Sequence, residues 1–347
     1  MARDDDGATR LLRRTGTVGA YALALVALTA LAPALLALCL VADVAGRTRF
    51  ALSRMLLMVL VYLAYELAGV AVALALWLRG GGEERFLDGN YRLQWWWAGG
   101  LFDATRALFG LRVEVTGAAA VAPGPVLVFA RHASVADTLL AAALLSRPHG
   151  VRLRYVLKRE LLWDPCLDIV GHRLPNAFVR RGSRDTAGDV AAVRGLAEGL
   201  GERDGVLIFP EGTRATPTLR ARAIERLEAS PTTLPEQVKR ARRLAHLLPP
   251  RLEGALALLD AAPQADVVFL AHTGFDRVRS LADLRRGELV GQRVRVHLWR
   301  CPRAEVPDDR EGRERWLTAQ WEAMDAWVDQ FPSREGTKVS PRTSGAR

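Results

Sequence analysis

The chain has 347 residues, of which 48 are Lys or Arg and 38 are Asp or Glu, for a formal net charge of +10. Half of it is hydrophobic and 25% is charged, which excludes a largely disordered polymer and a many-span transporter, and three cysteines are too few for a disulfide-built scaffold. Only Lys158, Lys239 and Lys338 are lysines, so the basic surface is made of arginine, a side chain suited to phosphate oxygens on lipid headgroups or nucleic acid.

The apolar excess lies at the N-terminal end. Between Arg14 and Asp43 there are 28 uncharged residues, and between Arg54 and Arg79 there are 24 with Glu66 as their single charge. A bilayer core of ~30 Å takes ~20 helical residues, so the spacing predicts a transmembrane helical hairpin, 17–42 and 55–78, within an N-terminal unit 1–84. The first run is longer than the apolar core of a cleaved signal peptide and reads as a retained anchor. Arg3, Arg10, Arg13 and Arg14 precede the hairpin and Arg79, Arg85 and Arg92 follow it, against Arg47, Arg49 and Arg54 in its loop. That asymmetry predicts a multi-pass protein of the cell membrane whose large C-terminal part faces the cytoplasm. Gly80-Gly81-Gly82 reads as a flexible exit linker, and Tyr91 with Trp95-Trp96-Trp97 as an aromatic belt at the headgroups. Glu66 reads as a protonated or inter-helix-bonded carboxyl.

From residue 85 to 331 short apolar runs alternate with helical patterns. Strands are expected at 111–115, 126–130, 153–157, 206–209, 267–271 and 294–299, and helices at 135–145, 186–200 and 255–261. This alternation predicts an α/β domain, a mixed sheet flanked by helices. The Pro-punctuated, charged stretch 215–250 reads as a helical insertion. Leu317, Trp321, Met324, Val328 and Phe331 recur at helical spacing and give a C-terminal helix one apolar face. Residues 332–347 are polar and expected to be a disordered tail.

Three clusters carry chemistry, each after an expected strand. His132 stands at a strand end with Asp137 five positions on, a spacing that permits a His–carboxylate dyad in which the carboxylate fixes the imidazole tautomer and the other nitrogen takes a proton. Ser134-x-x-Asp137 also fits a capping box, which would make Asp137 a helix-start residue. Phe209-Pro210-Glu211-Gly212-Thr213-Arg214 places a carboxylate and a guanidinium on a tight turn, and Phe178-Val179-Arg180-Arg181 is a second step from apolar to basic. His149, His172, His246 and His297 have no metal-ligand spacing and read as structural. His272 is open between substrate contact and bonding within the domain.

Taken in order, His132-x4-Asp137, Phe178-Val179-Arg180-Arg181 and Phe209–Arg214 resemble the glycerolipid acyltransferase family, which includes the 1-acylglycerol-3-phosphate acyltransferases. Lys158-Arg159-Glu160-Leu161, and Leu248-Pro249-Pro250-Arg251 with Gly254, add to the resemblance, which covers about residues 90–330. It implies direct attack of a glycerol hydroxyl on an acyl thioester, with His132 as general base and Asp137 as its orienting partner. By the same resemblance Arg181, Glu211 and Arg214 would grip the glycerol phosphate, Gly212 would permit close backbone approach, and Thr213, Lys158 and Arg251 would complete the substrate side. No cofactor and no metal are expected, since acyl-CoA or acyl carrier protein enters as a donor substrate. The expected partners are the bilayer and a lysophospholipid acceptor, with no nucleic acid. Arg131, Pro175-Asn176 and His272-Thr273-Gly274-Phe275 depart from the family pattern. The expected acceptor is 1-acylglycerol-3-phosphate, giving phosphatidate. The alternatives are another lysophospholipid, glycerol 3-phosphate or a glycolipid, a hydrolase using Ser134, and, of another class, a non-catalytic tether for anionic lipid or nucleic acid.

Overall fold

The computed structural model describes residues 7–134, 137–179, 186–230, 234–278 and 280–331. Seven strands, β1 (Arg112–Thr116), β2 (Val126–Ala130), β3 (Arg152–Lys158), β4 (Ala177–Val179), β5 (Asp204–Ile208), β6 (Asp266–Thr273) and β7 (Arg293–Cys301), form one sheet in the order β1-β7-β6-β2-β5-β3-β4. β6 pairs antiparallel with β7 and every other pairing is parallel, so the sheet is mixed as expected. β2 is buried along its whole length, which suits a central strand made of Val, Leu, Phe and Ala.

Alternate residues of each strand feed two cores, as a period of two requires. Val126 and Val128 face a layer containing Leu140, Leu145, Phe102 and Phe109. Leu127 and Phe129 face Leu256, Leu259, Leu317 and Trp321 on the other side. Three long helices come first: α1 (Gly7–Gly46), α2 (Ala51–Arg79) and α3 (Glu83–Phe109). After β2 the chain runs through α4 (Asp137–Ala141), a π turn and α5 (Arg147–His149), then reaches β3. Next come α6 (Pro165–Gly171), between β3 and β4, and α7 (Thr186–Gly195), before β5. Helices α8 (Pro217–Ala229), α9 (Pro235–Arg243) and α10 (Leu252–Ala261) follow β5, α11 (Leu281–Arg285) follows β6, and α12 (Arg310–Asp329) closes the fold. The connection after β2 leads toward β4 and the connection after β5 leads toward β1, so the crevice at the carboxyl ends of β2 and β5 is a topological switch point, where ligands of open α/β sheets bind.

β4, α3, α6 and α11 went unanticipated. β4 is three residues long and lies inside the step read as apolar-to-basic. The stretch after the glycines is α3, a 27-residue helix with Glu83 and Glu84 in its first turn. Its aromatic residues pack on α2: Trp96 stacks on Tyr65 with ring centroids 4.8 Å apart, although Trp96 remains 43% exposed. The expected helix at 186–200 stops at Gly195, and Phe331 lies past the end of α12. The expected tail 332–347 lies outside the described residues.

Both hairpin helices are long and apolar enough to cross a membrane, and α1 leaves Leu23, Val26, Leu38 and Val41 about 70% exposed. Yet opposite ends of the hairpin touch the same globular body. Near the start of α1, Arg13 and Arg14 pair with Asp168 of α6 at 3.1 and 3.2 Å. At the α1–α2 loop, the Thr48 carbonyl lies so close to Gly287 that a Cβ there would meet it at 2.4 Å, and Arg54 donates to the Leu108 carbonyl. Glu66 is fully buried and accepts the Cys166 N–H at 2.9 Å, so its bond runs to α6 rather than across the hairpin.

Candidate active site

His132 lies two residues past β2, where the strand's last backbone bonds have already set its direction. Its ring packs on Phe209, at the end of β5, with centroids 4.5 Å apart. Nδ1 is 3.1 Å from Oδ2 of Asp137. The same oxygen accepts the backbone N–H of Ala133 at 2.6 Å and of Ser134 at 2.7 Å. The cap and the dyad are therefore not alternatives: one carboxylate caps the start of α4 and holds the imidazole. With Nδ1 donating to Asp137, the neutral ring has its Nε2 unprotonated, and the side chain is 11% exposed. Asp137 is 3% exposed, and burial opposes its charge, but His272, His132 and their hydrogen bonds hold it well below the usual carboxylate range.

Glu211 corrects one expectation. It is 2% exposed, and both oxygens are engaged: Oε1 accepts the His132 N–H at 2.6 Å and Oε2 the Leu248 N–H at 2.9 Å. A buried anion with both oxygens committed to the backbone does not grip a phosphate; Glu211 is a clip that ties the loop after β2 to the segment before α10. Burial pushes its carboxyl up to about 7, against the lowering effect of those two N–H groups. The Ala215 N–H adds a bond of 2.9 Å to the His132 carbonyl, so the turn after β5 holds His132 from both sides of its backbone.

The far end of the clip is fixed by α12. Asp325 accepts the N–H groups of Ala245, His246 and Leu247, each at 2.8 Å, and the Trp321 indole donates to the Leu248 carbonyl at 2.9 Å. Sequence reasoning saw the apolar face of this helix but not its role in aligning Glu211. An Asp and a Trp four residues apart on that face were the available signal.

Gly212 has φ +66°, a backbone that glycine adopts without strain, and a Cβ there would meet Nε of Arg251 at 2.9 Å. Arg251 thus lies over the turn, and its N–H donates to the Pro210 carbonyl at 2.8 Å. Thr213 and Arg214 continue the same turn, half-buried. Lys158 ends β3, in register with Val179 of β4. Arg181 itself lies outside the described residues. The structure therefore gathers His132, Asp137, Gly212, Thr213, Arg214, Arg251 and Lys158 along the carboxyl edge of the sheet.

The departures have local reasons. Asn176 accepts the Tyr155 N–H at 2.8 Å and donates to the Gly171 carbonyl at 3.2 Å, joining β3 to α6. Arg131 is 2% exposed and pairs with Asp276. His272 is fully buried, which removes it from substrate contact and puts its bonds within the domain.

Residues 112–245 match the family model described as Acyltransferase. Over 220 residues the chain is 26% identical to a mouse (Mus musculus) protein named 1-acyl-sn-glycerol-3-phosphate acyltransferase epsilon. That alignment covers 59% of this chain and spans 58% of the mouse protein's length. The fold is similar to the crystal structure of the 1-acyl-sn-glycerophosphate (LPA) acyltransferase PlsC from Thermotoga maritima, with a TM-score of 0.54, 15% identity, and coverage of 83% of this chain and 100% of that one. Both sequence motifs fall inside the segment that matches the Acyltransferase model, and the fold is shared with PlsC, which together support the resemblance to the glycerolipid acyltransferase family.

Proposed function

We propose that this chain is a membrane-bound O-acyltransferase that moves a fatty acyl group from acyl-CoA, or from acyl carrier protein, to the free hydroxyl of 1-acylglycerol-3-phosphate. The observation that carries the reading is the His132–Asp137 dyad at the switch point, with Nδ1 tied 3.1 Å from the carboxylate and Nε2 left as the base. A thioester offers a good leaving group but an alcohol is a poor nucleophile, so the chemical need is for a general base rather than a covalent intermediate.

In this mechanism Nε2 of His132 takes the proton as the acceptor oxygen attacks the thioester carbonyl. Asp137 stabilises the imidazolium that forms. The tetrahedral intermediate then expels the thiolate, which leaves with the proton returned by His132. Arg214, Arg251 and Lys158, with Arg181, supply the cations for the acceptor phosphate, Arg by its planar fork and Lys as a point charge. The two similar proteins, one named a 1-acyl-sn-glycerol-3-phosphate acyltransferase and the other an LPA acyltransferase, support that acceptor.

The exposed apolar face of α1 calls for lipid, because a surface of that size in water drives association. Contacts of both hairpin ends with one globular body favour a hairpin embedded in the near leaflet over two full crossings. The cytoplasm is the compartment that holds the acyl donors, and the charge asymmetry of the sequence supports the same side.

The test is thiol release from a long-chain acyl-CoA by membranes containing the protein, with and without 1-acylglycerol-3-phosphate, beside His132→Ala at equal expression. Acceptor-dependent release that the substitution abolishes is the expected result. Release without acceptor would point to a hydrolase, and silence of wild type with every lysophospholipid and both donors would sink the reading.

A further inference from the structure

Asp137 lies between two imidazoles, bonded to one and facing the other. Its Oδ2 takes the three donors described above, while Oδ1 is buried without a hydrogen-bond partner among the described residues and lies 3.4 Å from Nε2 of His272. That nitrogen also lies 3.1 Å from the Arg131 carbonyl, which only accepts, so Nε2 carries a ring proton donated to that carbonyl, with the carboxylate beside it. His272 stands one residue before the end of β6 and is fully buried, with Phe275 edge-on to its ring at 6.1 Å.

The strand end that presents His272 is held from the His132 side. The Arg131 guanidinium donates to the His272 carbonyl at 2.5 Å and pairs with Asp276, while the Arg131 N–H donates to the Leu270 carbonyl at 3.0 Å. Asp276 in turn accepts from Gly274 N–H and the Thr273 hydroxyl, each at 3.1 Å. The residue that precedes His132 and the residue that faces Asp137 from β6 are thus laced to each other by backbone and side chain.

We propose that His272 is a positioning residue for the acyl transfer, holding Oδ1 of Asp137 so that Oδ2 keeps its line to Nδ1 of His132; this rests on the reading of His132 as the general base. A buried carboxylate with no donor on one oxygen bears a desolvation cost and is free to turn about its Cβ–Cγ bond toward other donors. The Nε2 proton of His272, 3.4 Å from Oδ1, opposes that turn electrostatically. Because His272 is sealed from solvent, it acts through Asp137 and His132 and touches neither donor nor acceptor. Its removal therefore slows the chemical step and leaves acceptor binding alone.

The experiment uses the full chain in detergent micelles or vesicles, with thiol release from a long-chain acyl-CoA and 1-acylglycerol-3-phosphate as acceptor. His272→Leu is expected to lower kcat by roughly 10- to 100-fold with the acceptor KM within about twofold of wild type. His272→Gln, whose amide N–H reaches the position of Nε2, restores most of that rate. In a His132→Ala background His272→Leu lowers the residual rate no further, because the two act as one unit. Should His272→Leu fail to fold, His272→Asn against His272→Gln reads the same contact, since Asn is too short to reach Asp137; a kcat about tenfold higher for Gln is expected. Equal rates for the long and short amides, a loss carried by KM, or an additive loss in the His132→Ala background would overturn the inference. Wild type that releases no thiol in response to acceptor overturns the proposed function and this inference with it, whereas an active wild type with an indifferent His272→Leu overturns the inference alone.

Discussion

Two regions of this molecule bury carboxylates, and they use them in opposite ways. At the carboxyl edge of the sheet, Asp137 and Glu211 accept backbone N–H groups and the His132 Nδ1 proton, and neither takes Nε2 of His132. At the seam between the hairpin and α6, Asp168 takes Arg13, Arg14 and His172, and Asp164 takes the hydroxyls of Tyr21 and Tyr62 at 3.0 and 2.5 Å. Each of those donors is spent on a carboxylate of the protein itself. The same chemistry of a buried anion gives a site where a proton acceptor remains free and a fastener where none does. Burial and charge alone do not mark an active site; the unspent valence does.

The comparison breaks most easily at Asp137. Asp137→Asn removes the charge that stabilises the His132 imidazolium and turns an amide N–H toward His272 or the backbone donors. A fall in kcat of roughly a thousandfold is expected, read as acceptor-dependent thiol release at equal expression. A variant that keeps a tenth of wild-type activity would reduce the dyad to a cap. Glu211→Gln comes next, because one face of the amide meets a backbone N–H with another N–H. A loss of about 1–3 kcal/mol in unfolding free energy and of roughly tenfold in rate is expected. The sign with pH is also set. The carboxyl is raised from 4.5 to about 7 by burial, so the folded state holds its proton more tightly than the unfolded one. Its contribution is fully present below the unfolded value and is lost as pH rises through about 7. The stability of wild type relative to Glu211→Gln should therefore shrink between pH 4.5 and 8, by up to about 3 kcal/mol, and a gap that stays constant in denaturant titrations at the two pH values would refute the shift.

Much of the edge was legible in the sequence, and little of the seam. Residues 126–130 read as a strand because five apolar residues end at Arg131, and the structure returns the same bounds. The pattern at 317–328 gave α12 for an equally local reason. β4 was hidden by its length, since three residues show no period. α3 was hidden by the glycines before it, although Leu87, Tyr91, Leu101 and Phe102 recur at helical spacing and Glu83 and Glu84 mark its first turn. Glu211 was misread because a carboxylate beside Arg214 looks like a substrate clamp, and only the position of the Leu248 N–H, 37 residues away, shows where its second oxygen goes. The seam joins Arg13 to Asp168 across 155 residues, and no local pattern announces such a pair.

The seam supplies the opposite kind of test, where stability moves and chemistry does not. Burial opposes the charge of Asp168, but His172, Arg14 and Arg13 bring its carboxyl down to about 2, so its stabilising contribution is present above the ordinary carboxylate range and is lost as pH falls toward that value. Asp168→Asn should cost about 1–3 kcal/mol in thermal or denaturant unfolding, less than a fully buried pair because Arg13 and Arg14 are 12% and 26% exposed, while kcat stays within about twofold. The smallest effect belongs to Tyr62→Phe. It removes one hydroxyl from Asp164 and leaves that of Tyr21 in place, so about 0.5–1.5 kcal/mol is at stake. The two seam variants should lower the unfolding midpoint in that order and leave the turnover of the folded fraction unchanged. A drop in kcat from Tyr62→Phe with no change in midpoint would mean that the seam transmits to the edge, and the division between fastener and site would fail. The chain gives that transmission a definite route to be tested against: from Asp164 back through residues 159–163 to Lys158, the cation at the end of β3.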